Sequence, residues 1–300
     1  MLFIENFRSQ PYYNIAAEEY LLKNFTQNIV MLYRNQPSLI CGKHQNVFAE
    51  VNHNLLFAGE IPVVRRLSGG GTVYHDLGNL NFTFLLNGEE GKLVNFRQYA
   101  QPIIDFLRSI GAPAEFSERN DITIAGKKVS GNAEHIYKNR VLHHGTLLFN
   151  TNLENLENAI TVNRRFDDKG IRSVRSKVTN ISKHLPAKIS FNEFKTKLFE
   201  FLYQQLGGTE TYHFNATDVE AIKKLEAEKY RTVEWNYDYS PKFSFKRVFF
   251  IENEIVKLEI YVEKGIMVNL IPFDNQVENE KFFDLKNKLS GQRISTELLQ

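Results

Sequence analysis

Three adjacent glycines, at positions 69–71, interrupt a segment that otherwise has the pattern of two β-strands. The preceding residues, 61–66, form a short apolar run that ends in Arg65 and Arg66, and residues 72–75 resume with β-branched and aromatic side chains. A loop without Cβ atoms can place its backbone N–H groups directly against an anion, and adjacent arginines supply charge-assisted donors for phosphate or carboxylate. The spacing is neither G-x-G-x-x-G at the start of a helix nor the P-loop pattern. We therefore predict an anion-binding loop between two strands, with a plain flexible hairpin as the alternative.

A pair of lysines lies farther along, in a segment that has the pattern of a β-hairpin. Ile122 and Ile124 alternate with polar residues like a half-buried strand, and the Ala-Gly pair at 125–126 is typical of a tight turn. Adjacent strand residues point to opposite faces, so Lys127 and Lys128 face opposite ways. We predict that one lysine faces a ligand and the other faces solvent. The alternative is that both are exposed lysines at a hairpin edge.

The sequence resembles the lipoate-protein ligases, because both motifs occur together with further segments in an order typical of that family. The matching segments are YNIAAEE at 13–19, GKHQN at 42–46, RRLSGGGTVYHDLGN at 65–79, KVSG at 128–131, HHGTLL at 143–148, GIRSVRSKVTN at 170–180 and EWNY at 234–237. A colinear set of this size is much more specific than any single motif. The resemblance is to the two-domain, lipoate-protein ligase A type of the biotin and lipoate ligase superfamily.

The resemblance implies a two-step acyl transfer. Such enzymes activate free lipoate with ATP to lipoyl-AMP and pyrophosphate. They then pass the lipoyl group to one lysine of a lipoyl domain, in a 2-oxoacid dehydrogenase E2 subunit or the glycine-cleavage H protein. A carboxylate that attacks an α-phosphate brings two anions together, so the site needs a cation between them. Lys128 matches the family's essential lysine and is expected to contact both anions, whereas Lys127 has no such counterpart.

The resemblance also divides the glycine loop between the two substrates. It implies that ATP is contacted by Arg66, Gly71, Thr72, Val73, Tyr74 and Lys128, and lipoate by Ser68, Gly69, Gly70 and Lys128. A guanidinium can bind phosphate oxygens bidentately and stack on a base. Small uncharged residues can border an apolar tunnel for an acyl chain. For Val73 and Tyr74 we expect the backbone to bind the nucleotide, and plain strand packing is the alternative.

Other polar residues have patterns that suggest chemistry less directly. His75 and Asp76 are adjacent in a strand and so face opposite ways, and the following Leu-Gly-Asn is typical of a turn, so we predict structural roles for both. In the histidine pair at 143–144 one side chain is expected in the core, while His144 could orient a phosphate or the carboxylate. Mg²⁺ is expected with ATP, and Asp121 is a candidate to hold it through water.

Residues 164–188 are rich in Lys and Arg, with Asp167 and Asp168 as the only acidic residues. This composition predicts a mobile loop rather than a helix. The resemblance implies that the loop folds over the adenylate and shields its anhydride from water. Its charge could also attract an acidic lipoyl domain. A solvated surface segment is the alternative.

The single cysteine, Cys41, raises an alternative activity, since related acyltransferases that take octanoate from acyl carrier protein use a cysteine nucleophile. Cys41 lies in an apolar strand pattern without an adjacent histidine or basic residue, so we predict that it fills the core. Two more alternatives stay open. One is a lipoyltransferase that uses only preformed lipoyl-AMP, and the other is a non-catalytic adenylate-binding protein.

Composition argues against several classes of protein. The net charge of +2 disfavours a nucleic-acid binder, and no apolar stretch approaches the length of a membrane helix. One cysteine excludes an internal disulfide and fits a reducing compartment. The first residues lack the pattern of a secretion signal or transit peptide. We therefore expect a cytoplasmic, soluble protein with no nucleic-acid or membrane partner.

The periodicity of the chain predicts an α+β fold, with a mixed or antiparallel sheet and flanking helices, because strands and helices alternate without βαβ regularity. This agrees with the class II synthetase-like fold that the resemblance implies. Helices are predicted at 13–24, at 96–110 and from a cap at Ser190 to residue 206; strands are predicted within 29–42 and at 79–86.

Two domains are predicted. A catalytic domain that binds lipoate and ATP spans 1–243, and a small α+β accessory domain spans 244–300. The small domain is expected to contain a strand meander at 246–269 and a helix at 278–289.

Overall fold

The computed structural model describes residues 1–58, 61–88, 94–161, 163, 165–252, 254–274 and 279–299. Its strands are β1 (Leu2–Glu5), β2 (Ile29–Tyr33), β3 (Ser38–Cys41), β4 (Val63–Arg65), β5 (Val73–His75), β6 (Asn79–Asn87), β7 (Ala114–Phe116), β8 (Ile122–Ile124), β9 (Lys127–Ser130), β10 (Asn132–Tyr137), β11 (Arg140–Leu148), β12 (Phe166–Asp168), β13 (Glu210–Thr211), β14 (Phe243–Ile251), β15 (Glu254–Glu263) and β16 (Ile266–Pro272). Its α-helices are α1 (Pro11–Asn24), α2 (Val47–Glu50), α3 (His53–Ala58), α4 (Phe96–Ser109), α5 (Leu153–Ala159), α6 (Phe191–Gln205), α7 (Ala216–Leu225), α8 (Glu280–Leu289) and α9 (Thr296–Leu299). The predicted α+β class is confirmed.

The main sheet has six strands in the order β10-β11-β6-β2-β1-β13, and β6 is antiparallel to both of its neighbours. The sheet is covered on both sides, which explains why β6 and β11 are almost completely buried. On one face Met31 and Leu85 pack with Leu21 of α1. On the other face the sheet packs against α4 and α6 through a large hydrophobic cluster that includes several phenylalanines.

The predicted helices are confirmed with small shifts at their ends. The first begins at Pro11, a residue that is favoured at the first helical position. The Ser190 hydroxyl accepts the backbone N–H of Glu193 and caps α6. The helix predicted at 96–110 is α4, which ends just before Gly111. Both predicted strands within 29–42 and the central strand at 79–86 are present as β2, β3 and β6.

A second, three-stranded sheet carries the glycine loop. Its order is β4-β3-β5, with β4 parallel and β5 antiparallel to β3. The loop therefore links two strands on opposite edges of β3, which excludes the plain hairpin. The predicted lysine hairpin is β8 and β9, whose turn residues Ala125 and Gly126 both have positive φ angles.

Strands β14, β15 and β16 form the predicted antiparallel meander. The helix predicted at 278–289 is α8, and residue 278 itself lies outside the described residues. The sheet also includes β12, from residues 166–168, which pairs with β14. One hydrophobic cluster joins Phe48 to Phe243 and Leu299, so the core is continuous across the predicted boundary between 243 and 244. That boundary stays a prediction. None of the helices in the described ranges combines the length and apolar character needed to cross a membrane.

Candidate active site

The glycine loop and the lysine hairpin face each other across a cavity of about 530 Å³. The cavity lies over one face of the main sheet, and part of the basic segment contributes to its wall. Its wall includes Arg66, Gly70, Gly71, Thr72 and Val73 from the loop, Asp121 and Lys128 from the hairpin, Tyr33, Asn81, His144 and Thr146 from the sheet, and Arg172, Ser173 and Ser176 from the basic segment.

A second cavity of about 310 Å³ adjoins the first. The two share part of their wall, including Thr72, Val73, Lys128, Thr146 and Ser173. Beyond the shared wall the second cavity is mainly apolar, and it is lined by Tyr74, Leu148, Leu156, Ile160 and Val178. The site thus has two lobes, and a cation lies in the wall common to both.

That cation is Lys128. Its Nζ lies 2.9 Å from Oδ1 of Asp121, and its side chain is 25% exposed. Lys127, next to it in β9, is exposed, so the predicted opposition of the two lysines is confirmed. The backbone of Lys128 is held by the basic segment, because its N–H donates to the carbonyl of Lys177 at 2.8 Å and its carbonyl accepts the N–H of Thr179 at 3.0 Å.

The side chain of Lys128 lies across Gly131. A Cβ atom at position 131 would stand 2.8 Å from Nζ and 2.9 Å from Cε of that lysine, which is closer than real Cβ contacts. Any larger residue here would push the ammonium group aside. Gly131 therefore leaves the room that this position of the ammonium group requires.

Arg66 is buried behind the glycine loop and holds it in shape. Its Nε donates to Oγ of Ser68 at 2.9 Å, and its Nη2 donates to the carbonyls of Gly69 and Gly71 at 2.6 and 2.8 Å. Its Nη1 donates to the carbonyl of Ile40 at 2.9 Å. Burial lowers the pKa of Arg66 to about 10, so the side chain is still a cation at neutral pH. Four of its five N–H hydrogens are thus paired within the described residues, which leaves one for a substrate. The predicted contact with ATP stays a prediction.

A chain of polar groups runs from Arg66 through the site. Oγ of Ser68 lies 2.6 Å from Nε2 of His144, and Nδ1 of His144 lies 2.9 Å from the carboxylate of Glu18. Glu18 also accepts the hydroxyl of Tyr33 at 3.0 Å. The Ser68 hydroxyl is thus engaged by protein groups. Ser68 and Gly69, both within the described residues, lie behind the cavity wall rather than in it, whereas His144 is part of the wall.

Arg65 is fully buried and does not face the cavity, which corrects the expectation that both arginines serve an anion. Its guanidinium donates to the carbonyls of Gly42, Gln45, Trp235 and Asn236 at 2.8–3.1 Å. It thereby ties the base of the glycine loop to the π-helical turn at Glu234–Asp238. Sequence reasoning gave no signal for this role, because its partners are backbone carbonyls and the hydroxyl of the distant Ser240.

The basic segment lies directly on the glycine loop. Oγ of Ser173 accepts the backbone N–H of Thr72 at 2.9 Å and the side-chain N–H of Gln45 at 3.1 Å. A Cβ at Gly71 would lie 2.9 Å from the same Oγ, so the close approach requires glycine. Residues 169–180 are irregular, as predicted, but the segment also contains β12 and a 3₁₀ turn at Ile181–His184.

Four other candidate residues from the sequence lie in a turn, in the cavity wall or in the core. Oδ1 of Asp76 accepts the N–H of Gly78 at 2.9 Å, which confirms its predicted turn role. His75 is buried but lies in the cavity wall, which the prediction of a structural role missed. Cys41 lies in the core as predicted, and burial raises the pKa of its thiol. His143 is in the core, with its Nδ1 2.9 Å from Glu134.

A two-lobed cavity with a lysine at the junction, a braced glycine loop and a segment closed over it are features of an enzyme that joins a carboxylate to a nucleotide. The family model of the lipoyl protein ligase A/B catalytic domain matches residues 10–202. Lipoate–protein ligase 1 of Staphylococcus aureus is 40% identical over 297 residues, covering 97% of this chain and 90% of the relative. The chain belongs to the lipoyl protein ligase A/B family, and it is a ligase.

Two solved structures have the same fold. LipL1 of P. falciparum in complex with lipoate has a TM-score of 0.67 at 25% identity, and the match covers 99% of this chain and 92% of that one. A lipoate-protein ligase A bound with ATP also has a TM-score of 0.67, at 24% identity, over 78% of this chain and 97% of that one.

Proposed function

We propose that this protein activates free lipoate with ATP to lipoyl-AMP, and then transfers the lipoyl group to a specific lysine of lipoyl domains. The acceptors are the lipoyl domains of 2-oxoacid dehydrogenase E2 subunits and the glycine-cleavage H protein. The observation that carries the proposal is the position of Lys128 in the wall shared by the two cavities. A cation at that junction can contact an acyl group in one lobe and a phosphate from the other.

In the first step, a carboxylate oxygen of lipoate attacks the α-phosphorus of ATP, and the bond to the β-phosphate breaks to release pyrophosphate. Lys128 offsets the repulsion between the two anions and holds them in line. In the second step, the neutral amine of the acceptor lysine attacks the acyl carbonyl. The bond to AMP breaks, AMP leaves with the electron pair, and the amine proton passes to solvent. Lys128 stabilises the oxyanion formed during this attack.

The smaller, mainly apolar lobe suits the adenine and ribose of the nucleotide. Thr72, Val73 and Tyr74 line it, and Gly71, which precedes them in the chain, lies in the wall of the adjoining larger cavity. The solved relative with bound ATP shares the fold. We assign ATP contacts to these four residues through their backbone, together with Lys128 and the remaining guanidinium hydrogen of Arg66.

The larger lobe suits the lipoyl group. Ile15, Tyr33, Ile40, Val73 and Ala133 supply apolar surface there, and Gly70 borders it. LipL1 was solved with lipoate bound, which supports this choice of acid. We assign lipoate contacts to Gly70 and Lys128. For Ser68 and Gly69 we propose a supporting role, because they form the layer directly behind Gly70.

Magnesium is proposed to enter with the nucleotide. Among the described residues no three metal-ligating side chains cluster, so the ion must be held mainly by phosphates and water. Asp121 fits as its one carboxylate, since it lines the larger cavity beside Lys128. The ion would supply charge neutralisation at the phosphates.

Octanoyl transfer through a thioester is the weaker candidate, because the Cys41 thiol is fully buried and its pKa is raised. A lipoyltransferase that lacks the activation step would use the same two lobes. The cytoplasm suits the proposed reaction, which consumes ATP.

The test is lipoylation of a purified lipoyl domain from free lipoate, with and without ATP and Mg²⁺, and separately from supplied lipoyl-AMP. We expect product from free lipoate only when ATP is present, and product from lipoyl-AMP without ATP. Product only from lipoyl-AMP would identify a transferase instead. Transfer from octanoyl acyl carrier protein that is abolished in Cys41→Ser would revive the thioester route.

A further inference from the structure

The wall of the larger cavity includes a buried histidine, His75, whose Nε2 has no hydrogen-bond partner among the described residues. His75 is only 3% exposed, and it lines the cavity. Its Nε2 is buried and makes no hydrogen bond to the described residues. Buried polar groups in proteins are nearly always paired, so this nitrogen calls for a partner that the described residues do not supply.

A relay of asparagines fixes which ring nitrogen carries the proton. Nδ2 of Asn14 donates its two hydrogens to the carbonyl of Arg8 at 2.8 Å and to Oδ1 of Asn35 at 2.7 Å, and the carbonyl of Arg34 lies 3.2 Å from the same nitrogen. Because Oδ1 of Asn35 faces Asn14, Nδ2 of Asn35 is the group that lies 2.9 Å from Nδ1 of His75. Nδ1 is thus an acceptor, and the neutral ring must carry its hydrogen on Nε2.

The ring stays neutral at physiological pH. Burial, together with the nearby Arg66 and His144, lowers the pKa of His75 to about 3. His75 therefore carries one N–H donor, at Nε2, and no positive charge. Such a group suits a weak, uncharged acceptor better than a carboxylate.

The position of His75 points to the far end of the acyl chain. Thr146, Asn81 and Tyr33 occupy one row across three neighbouring strands, because Asn81 is the register partner of both of the others. Thr146 is at the Lys128 end, since its hydroxyl accepts the N–H of Gly131 at 3.2 Å. Tyr33 is at the other end, about 10 Å away across two strand spacings. His75 is anchored beside that end through Asn35, two residues after Tyr33.

A second unpaired donor lies between the two ends. Asn81 is 1% exposed and lines the cavity, its Oδ1 accepts Nδ2 of Asn79 at 2.8 Å, and its own Nδ2 has no partner among the described residues. The carboxylate end of the site thus has Lys128, whereas the inner part has two uncharged donors beside the Arg66 guanidinium, most of whose hydrogens bind the glycine loop.

We propose that His75, assisted by Asn81, recognises the sulfur atoms of the dithiolane ring and so makes the site select lipoate over octanoate. This rests on the proposed function. An extended pentanoyl chain between the carboxylate at Lys128 and the ring spans the row of three strands. Sulfur is a weak acceptor, and it also packs well against an aromatic ring edge. The alkyl tail of octanoate would leave both donors unpaired, and sites built to pair a polar group discriminate against analogues that lack it.

The test compares kcat/KM for ATP-dependent lipoylation and octanoylation of one lipoyl domain. His75→Asn keeps an acceptor for Asn35 at the Nδ1 position but lacks the outer donor, whereas His75→Gln keeps a donor at the Nε2 position. We expect the lipoate-to-octanoate ratio to fall about fivefold or more in His75→Asn, the scale of one net hydrogen bond, and to stay near the parent value in His75→Gln. An unchanged ratio in His75→Asn contradicts the proposal.

Asn81→Leu gives an independent measurement should His75→Asn not fold, since it removes the second donor and keeps the number and branching of the side-chain heavy atoms. We expect the same direction of change in the ratio, and an unchanged ratio would again contradict the proposal. Measurements on the parent enzyme distinguish a failure of the proposed function from a failure of the specificity proposal. Failure to use ATP with either acid overturns the proposed function, whereas ATP-dependent activity with no preference for lipoate overturns only the role of His75 and Asn81.

Discussion

The hydroxyl oxygen of Ser173 accepts the backbone N–H of Thr72 at 2.9 Å, which joins the basic segment to the glycine loop. The same oxygen accepts Nε2 of Gln45, whose Oε1 in turn accepts the hydroxyl of Thr72 at 2.9 Å. Three separate parts of the chain are thus connected over the wall that both cavities share. A closed segment at this place keeps water from a reactive anhydride.

Ser173→Ala should therefore lower the coupling between adenylation and transfer. Loss of one acceptor weakens closure by about 1 kcal/mol, and we expect about fivefold more AMP released per lipoyl domain modified. The measurement is the ratio of AMP to lipoylated product. Ser190→Ala is the control, since it also removes one acceptor of a backbone N–H, at the distant start of α6. Equal ratios in the parent and in Ser173→Ala would contradict a role of this hydrogen bond in holding the basic segment over the site.

Gly131→Ala should displace Lys128 without removing it, because the added Cβ would overlap Nζ and Cε. A misplacement of about 1 Å can cost about a hundredfold in rate, and we expect that loss in both half-reactions. Single-turnover adenylation and transfer from supplied lipoyl-AMP measure the two steps separately. Thermal unfolding of the variant checks that the fold is kept. Rates like those of the parent enzyme would mean that the position of the ammonium group is not critical.

Cys41→Ser should keep the ligase activity. The serine places a hydroxyl in the core cluster around Cys41, and we expect a loss of about 1–3 kcal/mol in the free energy of unfolding. Turnover is measured at a temperature where the variant is folded. Urea unfolding at that temperature gives its free energy of unfolding. Loss of turnover in the folded variant would show that the thiol takes part in the reaction.

The free energy of unfolding should fall as the pH drops below about 6.5. Burial lowers the pKa of both His75 and His143, so these side chains stay neutral in the folded state while the unfolded chain takes up protons. Each contributes up to about 1.4 kcal/mol per pH unit, and neither contributes above its unfolded pKa. Urea unfolding across this pH range measures the slope. His75→Gln should have a shallower slope, and an unchanged slope would contradict the assignment of a neutral buried ring.

Much of the fold follows from local patterns in the sequence. Pro11 and Ser190 mark helix starts, Gly111 follows a helix end, and the Ala-Gly pair at 125–126 marks the hairpin turn. The opposition of Lys127 and Lys128 follows from the two-residue period of a strand. Each of these features depends on residues within a few positions of one another, which is why they were predictable.

The inner parts of the site depend on contacts between distant positions. Glu18 and His144 are 126 residues apart, and no local pattern joins them. Arg65 and Arg66 are adjacent, yet one braces the turn at Glu234–Asp238 and the other braces the glycine loop. The turn chemistry of its neighbours predicts a structural role for His75. The pairing of β5 with β3, which no local pattern predicts, brings it to the cavity.

The central claim is that one ammonium group, on Lys128, serves both anions of the reaction, and a matched pair of variants tests it most directly. Lipoyl-AMP formation and lipoyl transfer are measured for Lys128→Ala and for Lys127→Ala, its exposed neighbour on the same strand. We predict that Lys128→Ala abolishes both half-reactions and that Lys127→Ala leaves both nearly unchanged. Adenylate formation at the normal rate in folded Lys128→Ala, or an equal loss in Lys127→Ala, would contradict the account.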